Sequence, residues 1–170
     1  SNNKNENAEA HLNLAAIAAM NYDWNLAYEH VLNAEKLDLS NAKNAAAMSK
    51  GTLSIPLGEY DRAMTTLTTL PNNGWAMWRR GIMKVMSGDL SGAKSEMNNL
   101  RKLFTDNGWD DNGFIHYANA VIAAREGDSN KVSSDLKLAL DNDSTGELKE
   151  RLVNDVEFLN YSDAVKAAMN

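Results

Sequence analysis

The sequence predicts an all-α fold, built from about four repeated helical hairpins and closed by C-terminal capping helices. Three observations lead there. Ala, Leu, Met, Lys and Glu dominate the periodic stretches, and nothing alternates in the manner of a β-strand. Proline occurs only at Pro56 and Pro71, while turn signals such as Asn72-Asn73-Gly74 and Asp106-Asn107-Gly108 separate long helix-forming segments. Four turns also align with one another: Tyr22-Asp23-Trp24, Gly58-Glu59-Tyr60, Gly88-Asp89-Leu90 and Gly127-Asp128-Ser129.

Around those turns the same series of residue sizes recurs. Seven positions before each turn stand Ala15, Gly51, Gly81 and Ala120, and five after it Ala27, Ala63, Ala93 and Val132. Nine after it come Val31, Leu67, Met97 and Leu136, and twelve after it Ala34, Leu70, Leu100 and Ala139. Small residues on both helices let an antiparallel pair approach closely, and the larger residue four positions on fills the space beyond. Glycine ends the first helix in a left-handed conformation, and the acidic residue after it suits the start of the second. A single hairpin cannot bury its apolar face alone, so stacking of successive hairpins is expected.

Taken in order, the hairpins span residues 8–39, 44–71, 74–100 and 113–140, with a capping segment over 147–170, all within one domain of 1–170. The pattern resembles the tetratricopeptide repeat, a helix–turn–helix unit of 34 residues. The first hairpin carries the resemblance through Ala8-Glu9-Ala10, Asn13-Leu14-Ala15, Asp23-Trp24, Ala27, Ala34 and Leu37-Asp38. The second carries it through Gly51, Gly58-Glu59-Tyr60 and Ala63, and the third through Gly81, Gly88-Asp89 and Ala93. The fourth is weaker, because Val132 replaces the second small residue. The resemblance implies a right-handed α-α superhelix.

The departures from that pattern are specific. Tyr22 occupies a position usually held by glycine, and Pro56 falls where it should kink or stop a first helix. The turns lie 36, 30 and 39 residues apart rather than a uniform 34, Pro71 ends the second unit early, and an insertion around residues 105–112 lengthens the join into the fourth. An irregular superhelix is expected. The tail should form two short helices split near residues 160–162, with 148–159 resembling the closing segment that follows the last repeat in some members of the family.

Composition narrows the function. A formal net charge of -6 and scattered Lys and Arg argue against nucleic acid as a partner. No apolar run approaches the roughly 18 residues that a membrane-spanning helix requires, so no direct membrane insertion is expected. Without cysteine there are no disulfides, thiolate metal sites or cysteine nucleophiles. The chain begins Ser1-Asn2-Asn3, which reads as a mature chain or an excised segment.

No catalytic constellation emerges, and no cofactor or metal is expected. His11 and His116 stand at the same repeat position, where packing is the simpler reading, and no metalloprotease, phosphate-loop or nucleophile-elbow motif is present. The run Asp141-Asn142-Asp143-Ser144-Thr145-Gly146 resembles half of a calcium loop, but its twelfth position is Leu152 where a bidentate Glu is needed. A helix-capping turn explains it better. The three Asp residues between 106 and 113 read in the same way, as loop polarity.

The resemblance instead implies a protein-interaction scaffold that takes a peptide or partner segment in a concave groove lined by the first helices. Carried over position by position, the groove residues are Leu12 and Asn13 in the first hairpin, and Met48 and Thr52 in the second. Trp75, Trp78, Arg79 and Ile82 follow in the third, and Phe114, Tyr117 and Val121 in the fourth. Trp75, Trp78 and Arg79 concentrate the residue types of binding hot spots; the alternative is that they pack against the C-terminal tail or the lengthened join into the fourth hairpin. The clamp by which some co-chaperone domains of this family hold acidic C-termini is not expected, since Glu9 would repel a carboxylate and only Asn13 and Arg79 match. An alternative is a structural, assembly or spacer module of a larger bacterial cell-envelope protein, since the Asn-rich, cysteine-free sequence is similar to such segments in the periplasm or cell envelope of Gram-negative bacteria. Under either reading a monomer or weak homo-oligomer is expected.

Overall fold

The computed structural model describes residues 2–37 and 43–169, which contain ten α-helices and one 3-10 helix. The helices pack as sequential antiparallel pairs, consistent with a helical repeat. The chain divides into two compact units, one running to Ala76 and the other starting at Met77.

The first unit holds α1 (Asn2–Met20), α2 (Trp24–Glu35), α3 (Lys43–Ser54), α4 (Tyr60–Thr68) and the first residues of α5 (Gly74–Met86). Its core joins Ala15, Ala18, Ala27, Tyr28, Val31 and Leu53, with Leu12, Trp24 and Leu57 packed against them. Two prolines set helix ends here. α3 stops at Ser54, two residues before Pro56, and Pro71 lies in the connection between α4 and α5. The end of the first predicted hairpin, from Asp38 to Leu39, lies outside the described residues.

The second unit holds the rest of α5, then α6 (Leu90–Asp106), α7 (Gly113–Glu126), α8 (Ser129–Asp141), α9 (Glu147–Asn154), the 3-10 helix (Val156–Tyr161) and α10 (Ser162–Met169). Its core is larger. Met97, Ile115, Ile122, Leu136 and Leu148 are all but inaccessible to solvent, and Leu152 and Phe158 from the C-terminal segment complete the cluster. The tail forms two short α-helices, the second starting at Ser162 within the expected split, but the first ends at Asn154 and a 3-10 helix fills the interval. The Asp155 carboxylate accepts the Glu157 amide and starts the 3-10 helix, which then runs directly into α10.

All four repeat turns share one geometry. Tyr22, Gly58, Gly88 and Gly127 have φ of 60°, 75°, 84° and 78°, and Tyr22 is the one described non-glycine residue in that left-handed region. The acidic residue that follows sends its own N–H back to a carbonyl five residues earlier. Asp23 bonds Ala18, Glu59 bonds Ser54, Asp89 bonds Lys84 and Asp128 bonds Ala123, at 2.8–3.0 Å. The side chains then divide by length. Asp23, Asp89 and Asp128 accept the amides of Leu26, Gly92 and Lys131, whereas the longer Glu59 makes no such cap and pairs with Arg62 instead.

The size series is equally physical. A β-carbon on Gly51 would meet Leu67, and one on Gly81 would meet the terminal methyl of Met97. Each contact joins a small position on a first helix to the large position on its partner, as the repeat spacing requires.

Candidate functional site

In the first unit, Leu12 is half-buried against the hairpin core, Asn13 is exposed, and Met48 and Thr52 are half-buried on α3. Trp75, at the start of α5, is 52% exposed.

The residues expected in the third and fourth hairpins come together in the second unit, but with unequal roles. Trp78 is only 7% exposed. Its indole N–H donates to the Phe114 carbonyl at 2.9 Å, and its ring meets the Phe114 ring edge-on with centroids 5.8 Å apart. Tyr117 is buried beside it; its hydroxyl donates to Asp155 and its ring stands edge-on to Phe158 at 5.7 Å. Burial, then the bond to Asp155, pushes the Tyr117 hydroxyl far above the usual phenol range. Val121 is buried as well, and Ile82 is half-buried.

Arg151, from α9, lies over both rings, with its guanidinium carbon 5.6 Å from the Trp78 centroid and 5.7 Å from that of Tyr117. The C-terminal segment therefore forms one wall of the candidate site. What remains is an open pocket of about 300 Å³. Trp78, Ile82, Val85, Met86, Tyr117 and Val121 give it apolar surfaces, and Arg125, Arg151, Asp155 and Glu157 give it a charged rim. Arg125 is tied to Glu157 by a two-pronged ion pair.

Arg79 stands apart from these pairings. Its Nε is buried with no hydrogen-bond partner among the described residues. Burial, followed by the like charge of Arg151, holds its pKa below the ordinary arginine value. The neighbouring Arg80 differs sharply: it is buried but paired with Glu96 at 3.0 Å, and Lys84 reaches the other Glu96 oxygen at 3.1 Å.

Sequence reasoning did not find Met86, Arg125, Arg151, Asp155 or Glu157. Met86 and Arg125 each lie four residues beyond an expected groove position, at Ile82 and Val121, so helical spacing could have brought them in. Arg151, Asp155 and Glu157 belong to the tail, and their position depends on how it folds back.

The histidines have partners that repeat position does not reveal. His11 faces His30 across the α1–α2 hairpin, with their Nδ1 atoms 3.1 Å apart. His116 is 5% exposed, and its Nε2 lies 2.6 Å from the Asp111 carboxylate. Burial acts upward on Asp111, but bonds from His116 and the Asn112 amide hold it below the usual carboxylate range. The half-calcium loop is a cap: Asp143 accepts the amides of Thr145 and Leu148 and the Thr145 hydroxyl. The chain matches no protein-family model and no curated protein sequence.

Proposed function

We propose that these hairpins are tetratricopeptide-like repeats and that the second unit binds a segment of a partner protein in the pocket beside Trp78. The observation that carries this reading is the pocket itself, where exposed Met86 and half-buried Ile82 stand beside a floor fixed by Trp78, Tyr117 and Val121. A rigid aromatic floor with an apolar lip and a charged rim is the anatomy of an interaction hot spot. About 300 Å³ is at the small end of ligand-pocket volumes and has room for one large side chain.

The charges suggest which segment. Neither Arg79 nor Arg151 forms an ion pair among the described residues, and the two like charges act on one another. Guanidinium groups favour carboxylates through planar, two-pronged hydrogen bonds. The reading is therefore a segment with a large apolar side chain for the pocket and an acidic residue beside it.

Panning a displayed peptide library against the full chain tests this, with Ile82→Asp and Arg151→Ala variants in parallel. Enrichment of acidic-apolar sequences that each variant abolishes is the expected result. Enrichment indifferent to both variants, or none at all, would remove the reading.

A further inference from the structure

The contact between His11 and His30 has the dimensions of a metal chelate. Their Nδ1 atoms are 3.1 Å apart, with ring centroids 5.3 Å apart and planes tilted by 39°. Imidazole nitrogens bind late first-row ions at about 2.0–2.1 Å, so two of them on one ion lie about 2.9 Å apart at a right angle and about 3.4 Å apart at the tetrahedral angle. The observed separation falls between these limits.

The surroundings fix both rings and leave them reachable. His11 sits on α1 between Ala8 and Ala15, and His30 on α2 between Ala27 and Ala34, all four alanines being buried. Both rings are half-buried, so solvent reaches them. The hairpin core therefore sets the distance between the helices, while the side chains remain open to an ion.

We propose that His11 and His30 form a two-imidazole site for a late first-row transition-metal ion, with Cu(II) bound most tightly and Ni(II) and Zn(II) more weakly. The order follows from ligand type, since imidazole suits all three ions and Cu(II) leads the divalent series. Among the described residues no cluster of three His, Asp or Glu side chains exists, so water completes the coordination and binding is moderate. In the metal-free chain the same two nitrogens share one hydrogen bond. The ion replaces that bond and clips α1 to α2, so it should raise the stability of the folded chain.

The test is a calorimetric titration of the full, tag-free chain with CuCl2, NiCl2 and ZnCl2 near neutral pH. One Cu(II) per chain is expected, weakened at least about tenfold by His11→Gln and by His30→Gln but unchanged by His116→Gln. The melting temperature should rise with Ni(II) in the original chain and not in the first two variants. Paramagnetic resonance of the Cu(II) complex needs no variant and should show coupling to two imidazole nitrogens. Absence of stoichiometric binding, affinity indifferent to both substitutions, or a Cu(II) spectrum without two imidazole nitrogens would overturn the site.

Discussion

Leu67 of α4 fills the space that Gly51 of α3 leaves open. A β-carbon at Gly51 would stand 2.7 Å from Leu67 Cγ and 2.8 Å from Cδ2, distances at which one side chain must move. Leu67 is fully buried, so it has nowhere to go. Gly51→Ala should destabilise the chain by about 1–3 kcal/mol, as overpacking does. Trimming the obstacle with Leu67→Ala in the same chain should cost less than the two single changes added together, which denaturation of the four chains would measure. Gly81→Ala should be milder, because the atom in its way is the end of a flexible Met97 side chain.

The turn caps offer a graded series. Asp89→Ala and Asp128→Ala each remove a side-chain bond to a helix amide, at 2.8 and 3.0 Å, and each should cost about 1 kcal/mol. Glu59→Ala removes no cap and should cost less. Thermal melts of the three variants under one set of conditions would rank them.

Trp75 and Trp78 should respond unequally to truncation. Trp78→Ala should cost about 3–5 kcal/mol, since it removes a buried ring together with its hydrogen bond to the Phe114 carbonyl. Trp75→Ala, at a half-exposed position, should change stability by less than about 1 kcal/mol. Denaturant midpoints distinguish the two. Trp78 is thus a poor site for a binding test, and Ile82 a better one.

Glu96 should shape the acid limb of stability. Burial acts upward on its carboxyl, but bonds and charges from Arg80 and Lys84 outweigh it and hold the folded pKa below 4.5. A depressed carboxylate contributes its full stability above the unfolded value. The contribution is lost as pH falls from about 4.5 through the folded pKa. Glu96→Gln should therefore lower stability at pH 7 and flatten the decline between pH 5 and pH 3. Denaturation curves across that range would show it.

Local chemistry made the hairpins legible. Glycine at positions 58, 88 and 127 announces a left-handed residue, whereas Tyr22, which reads as a departure from that pattern, adopts the same conformation without glycine. Gly51 and Leu67 are 16 residues apart, a separation fixed by one hairpin, so their contact follows from spacing alone. The candidate site was only half legible. Trp78, Ile82, Tyr117 and Val121 do line the pocket, yet the burial of Trp78 under Arg151 spans 73 positions and depends on how the tail folds back. His11 escaped for a related reason. Repeat position paired it with His116, while the register of its own hairpin placed it against His30.

The reach of the tail into the second core has a consequence for synthesis. The cluster that joins α1, α2 and α3 has all its members once Leu57 has left the ribosome, and Leu67, which packs on Gly51, follows in α4. The second core waits for Leu148, Leu152 and Phe158, although its earliest members begin at Met77. Some 80 residues therefore emerge before the last members of that core are available. Until then Trp78 and Tyr117 lack the cover of Arg151, and Tyr117 that of Phe158, so the second core closes only when the tail has been made.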